Sequence, residues 1–81
     1  MKIYTPQQLA IASKILQGFG VPGPHSKAEQ GQVVDSWQEF INASRSLPTA
    51  LDVLNRAGDK TYRACQNAAN KIKAIRKANS H

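Results

Sequence analysis

Cys65, His25 and His81 are the side chains best suited to nucleophilic or metal chemistry, and their placement argues against both. The chain holds a single cysteine and only two histidines. A metal site needs several ligands brought together, and an activated nucleophile needs a neighbouring base. His25 falls in a glycine- and proline-rich stretch, His81 ends the sequence, and Cys65 lies on the apolar side of a helical pattern. A cysteine so placed behaves as a small hydrophobe. No metal, no cofactor and no catalytic residue are expected.

The glycines raise a second possibility. Gly18-Phe19-Gly20-Val21-Pro22-Gly23 spells G-x-G-x-x-G. That spacing cradles a pyrophosphate only when it joins a strand to a helix. Here it follows a helical pattern and contains Pro22. Pro24 and His25 occupy the places where a phosphate-binding loop needs Lys and Ser or Thr. The stretch reads as an interhelical loop, held to the core by Phe19 and Val21. The carboxylates do not pair for acid–base work either. Glu29, Asp35 and Glu39 fit the solvated face of one helix, whereas Asp52 and Asp59 fit the first turns of two others. The chain is expected not to be an enzyme.

What remains is charge, and its position is informative. Residues 1–59 carry Lys2, Lys14, Lys27, Arg45 and Arg56 against Glu29, Asp35, Glu39, Asp52 and Asp59, a balance of zero. Residues 60–81 carry Lys60, Arg63, Lys71, Lys73, Arg76 and Lys77 and no acid, so they hold the whole +6 of the chain. At helical spacing Arg63, Asn70 and Lys77 form one line opposite Cys65 and Ile72. Lys73 and Gln66 flank it on one side, and Lys60, Asn67 and Lys71 on the other. Lys and Arg suit phosphate oxygens, whereas Asn and Gln can read base edges. Such a face fits a nucleic acid, DNA or RNA. The alternative is a basic helix docked on the acidic surface of a partner protein or complex, as an adaptor or inhibitor would use it.

These side chains must be positioned by helices. Thr5-Pro6-Gln7-Gln8 has the form of a capping box, followed by Leu9, Ala12, Ile15 and Leu16 at helical period. This predicts a helix over about residues 6–17. Ser26 and Glu29 form a second box before the stripe Val33, Val34, Trp37, Phe40 and Ile41, predicting a helix over 27–45. Gly31 weakens its first turns by about 1 kcal/mol, so a firm start is expected only near Gln32. Pro48, Ala50, Leu51, Leu54 and Ala57 predict a third helix over 48–57. Asp59 opens the fourth, over 60–78, with Thr61, Cys65, Ala68, Ile72 and Ile75 as its inner seam.

The expected fold is all-α: one domain, a small bundle of three to four helices around Leu9, Ile15, Leu16, Val34, Trp37, Ile41, Leu51, Leu54 and Ile72. A core this thin can be extended by burying apolar surface between two copies, so a homodimer is compatible with it. Helices three and four resemble a helix-turn-helix only in order, since Ala64 and Asn67 stand where larger apolar anchors belong. The longest apolar stretch, Leu9–Ala12, is far short of a membrane span. A lone thiol and the absence of a leader-like apolar run point to the cytoplasm.

Overall fold

The structure is a computed structural model that describes the backbone of residues 4–44 and 50–79, and side chains throughout these except 38–44. It contains four helices in the order α1 (Pro6–Gly18), α2 (Lys27–Ser44), α3 (Ala50–Leu54) and α4 (Lys60–Ala78). Among the described residues there is no strand. The fold is therefore the small all-α bundle that the patterning implies. Residue 45, Pro48 and His81 lie outside the described residues, as do the side chains of Glu39, Phe40 and Ile41.

Local chemistry starts each long helix. Thr5 Oγ1 accepts from the Gln8 backbone N–H at 3.1 Å, and Gln8 Oε1 accepts from the Thr5 N–H at 2.9 Å. Ser26 and Glu29 repeat the arrangement at α2, at 3.1 and 2.8 Å. Asp59 caps α4 by accepting from the Thr61 N–H at 2.9 Å. Each reciprocal box satisfies donors that the first turn leaves orphaned.

The second helix begins at Lys27 and not near Gln32. Gly31 does not delay it, because this glycine is buried under the Tyr4 ring: a Cβ at Gly31 would stand 3.0–3.1 Å from three Tyr4 atoms. The close approach gained there offsets the poor helix propensity of glycine. The third helix, by contrast, ends three residues before Ala57. Backbone bonds switch to short-range turns at Arg56→Val53 and Asp59→Arg56, and Gly58 takes φ +92°. That left-handed conformation suits glycine and frees Asp59 to cap α4.

One core joins the helices. Ala12, Ile15 and Leu16 of α1 meet Val33, Val34 and Trp37 of α2, with Ala50 and Val53 of α3 and Cys65, Ala68, Ala69 and Ile72 of α4. Val21 is fully buried and Phe19 packs against the core, so the loop 19–25 is held as the pattern implied. Phe19 meets Tyr62 edge-on, ring centroids 5.0 Å apart. Gln30 Nε2 donates to Ser13 Oγ at 2.8 Å, tying α2 to α1.

Two expected core residues lie elsewhere. Leu51 is 67% exposed, because the short α3 turns Ala50 and Val53 inward and Leu51 out. Ile75 is 52% exposed, since it lies at the edge of the α4 seam where the neighbouring helices stop covering it. Leu9 and Leu54 are half-buried, and Leu54 rests on Gly18 where α3 crosses α1.

Trp37 is the largest fully buried side chain. Trp37→Ala is expected to lower stability by about 3–5 kcal/mol, through lost burial and a residual cavity. Urea unfolding followed by circular dichroism measures this, and a loss under 1 kcal/mol would contradict the packing described.

Candidate polyanion-binding face

Helix α4 has 19 residues and is about 28 Å long. Its seam of Cys65, Ala68, Ala69 and Ile72 is narrow, so about 200° of its circumference faces outward. Lys60, Arg63, Gln66, Asn67, Asn70, Lys71, Lys73 and Lys77 are all exposed on that arc. Ala74, absent from the sequence-derived set, is exposed among them. The middle of the arc carries Arg63, Asn67, Asn70 and Ala74. Lys73 and Lys77 form one flank, and Lys60 and Lys71 the other. Lysine 73 also reaches the α1–α2 loop, its Nζ lying 3.4 Å from where a Cβ on Gly20 would stand. Lys77, in the last turn, complements the negative end of the helix dipole.

Arg76 departs from the rest of the expected set by turning inward. Its Nε donates to Glu29 Oε2 at 2.7 Å and its Nη2 to Oε1 at 3.0 Å, a bidentate pair. Nη1 donates to the Pro22 carbonyl at 2.7 Å and Nη2 to the Pro24 carbonyl at 3.2 Å. This guanidinium is committed to holding α4, the loop and the start of α2 together. Glu29, expected on a solvated face, is correspondingly drawn in, with 19% of its side chain exposed. Hydrogen bonding from Arg76 is the main cause that lowers its pKa to about 2, and bonds from Ser26 act in the same direction. Helical spacing places Arg76 four residues after Ile72 and seven after Ala69, in line with the inner seam, but a partner 47 positions away leaves no local signature, so the sequence groups Arg76 with the other cations by charge alone.

The remaining reactive groups are engaged or enclosed. Cys65 is buried, and burial pushes its thiol pKa up. His25 Nε2 lies 2.8 Å from the Val21 carbonyl; a carbonyl only accepts, so this nitrogen carries the proton. Tyr4 Oη donates toward the Asp35 carboxylate at 3.0 and 3.1 Å. The G-x-G-x-x-G hexapeptide joins α1 to α2, so it lacks the strand that a dinucleotide site requires. Among the described residues no three His, Cys, Asp or Glu side chains gather to hold a metal ion, and no helix is long and apolar enough to cross a membrane.

A shallow groove runs between α2 and α4 beside the basic face. Gln32, Asp35 and Ser36 form one wall, and Asn67, Lys71 and Ile75 the other. This groove combines residues from distant segments and was not anticipated from spacing. Compared with known proteins, the chain matches no family model, no curated protein and no solved structure.

Arg76→Ala is expected to destabilise the fold at pH 7, because it removes the bidentate pair with Glu29 and the bonds to the Pro22 and Pro24 carbonyls. The Glu29 pKa is depressed in the fold, so its ionic contribution is complete above the ordinary value of 4.5 and fades as pH falls toward about 2. The stability difference between the parent chain and Arg76→Ala therefore narrows over that window. Denaturant titrations at pH 7, 4 and 2.5 test this; a gap that stays constant or widens on acidification contradicts the pair.

Proposed function

We propose that this chain is a small, non-enzymatic, nucleic-acid-associated binding protein that works through the outer face of α4. The observation that carries the reading is the acid-free row of five exposed cations: Lys60, Arg63, Lys71, Lys73 and Lys77. Surface lysines alone are common on soluble helices, where they serve solubility. Here the rest of the chain is charge-balanced, and every excess cation left after Arg76 is committed lies on one rigid element. A polyanion gains most from such an array, because several condensed counterions are released at once. The non-enzymatic part rests on how the reactive groups are used: Glu29 in an ion pair, Asp59 as a cap, Cys65 enclosed.

A second reading is docking of the same helix on an acidic protein surface, as an adaptor or inhibitor would. It is favoured by one observation: half-exposed Ile75 lies beside Lys71, an apolar anchor next to a cation such as a protein interface uses. Trp37 cannot supply that anchor, being enclosed in the core. The exposed Ile75 and Leu51 are also the apolar surface on which a second copy could pack. The unpaired Cys65 suits a reducing compartment such as the cytoplasm.

Binding to generic duplex and single-stranded nucleic acids over a range of salt tests the main reading. If about four phosphates are neutralised on a duplex, log K falls with log salt at a slope of about −3.6. Changing Arg63, Lys71, Lys73 and Lys77 together to Gln abolishes that dependence while circular dichroism shows an intact fold. Flat salt dependence, or no binding at low salt together with nuclease-resistant co-purification of a protein, would favour the second reading.

A further inference from the structure

Resting on the reading of α4 as a nucleic-acid-binding face, we infer that its ligand is B-form duplex DNA and that α4 enters the major groove. Three observations select this ligand among polyanions. The first is the layout of the arc. Arg63, Asn67, Asn70 and Ala74 run along its middle, with Lys73 and Lys77 on one side and Lys60 and Lys71 on the other. A helix lying in a groove has base edges beneath its central strip and a phosphate strand along each flank. Side chains able to discriminate bases therefore occupy the middle and point charges the edges. Asn can form a bidentate pair with adenine, Arg with guanine, and the Ala methyl can contact that of thymine. From Arg63 to Ala74 is about 16 Å, or about five base pairs at about 3.4 Å each.

The second observation is the state of the aromatic rings. Single strands are held largely by stacking bases on exposed aromatics. Trp37 is fully buried, Phe19 and Tyr62 pack edge-to-face, and Tyr4 covers Gly31. Tyr62, the aromatic ring on α4 itself, is half-buried and already engaged edge-to-face with Phe19. The third is shape. A helix about 10–12 Å across matches a major groove about 12 Å wide. The A-form groove of duplex RNA is too narrow and deep to admit one. The side chains of this arc are exposed from Lys60 to Lys77, and α2 borders it across the groove that Asp35 shares with Asn67 and Lys71.

The test uses the full chain and a mixed-sequence duplex DNA of about 20 base pairs, the duplex RNA of the same sequence, and each DNA strand alone. The expected result is salt-sensitive binding to duplex DNA at least tenfold tighter than to the other probes. Methyl green, which occupies the major groove, displaces the protein, and netropsin, which occupies the minor groove, does not. In a selection from random duplexes, Asn67→Ala and Asn70→Ala each reduce discrimination at one base pair by about tenfold or more, and the salt slope of the parent is retained. Equal binding to all probes, or displacement by netropsin alone, overturns the groove assignment and leaves the basic-face reading standing. Unchanged sequence preference in both Asn variants overturns base reading by the central strip. Absence of salt-sensitive binding to every probe overturns the basic-face reading as well.

Discussion

The arrangement depends on how α4 is held, and its own apolar seam holds it weakly. Cys65, Ala68 and Ala69 are small, so Ile72 is the only large side chain that α4 buries fully. Small residues permit close approach to α2 but remove little apolar surface from water. The clasp of Arg76 on Glu29, Pro22 and Pro24 supplies what the seam lacks. It joins the last turn of α4 to the first turn of α2 and to the loop that precedes it. A guanidinium suits this place, since its fork serves a carboxylate and two carbonyls simultaneously.

That clasp also explains the character of the outer face. A helix buried along a narrow seam presents a wide arc to solvent, and a wide arc can carry both a central strip and two flanks. A broader apolar stripe would have consumed the positions of Lys71 or Lys73. Thin packing and a broad binding surface are therefore two consequences of the same alanine-rich composition. Within α4, the cation that turns toward the neighbouring elements, Arg76, is the one that fixes the helix in place.

The loop 19–25 shows how a suggestive motif can serve packing. Its glycines allow tight turns, with Gly20 at φ +85°. Val21 enters the core, while the carbonyls of Pro22 and Pro24 accept from Arg76. His25 closes the turn by bonding back to Val21. A phosphate-binding loop offers backbone N–H groups to its ligand, whereas here the N–H groups of Phe19, Gly20 and Val21 donate to carbonyls of α1.

Much of this was legible in the residues. Capping boxes at Thr5 and Ser26, the Asp59 cap and the 3.6-residue periodicity determined the long helices, because these depend on contacts within a few positions of the chain. The gathering of excess charge beyond residue 59 is likewise a property of the sequence, and so is the exposure of most of the set from Lys60 to Lys77. Only the tertiary structure decided the role of Arg76, the pairing of Glu29, the start of α2 despite Gly31, and the outward turn of Leu51 and Ile75. Each hangs on a partner far along the chain: Glu29 for Arg76, Tyr4 for Gly31, the limits of helix coverage for Ile75. Helical period assigns a side chain to a face, but which faces are covered is set by how the helices cross, and that geometry is a property of the assembled core.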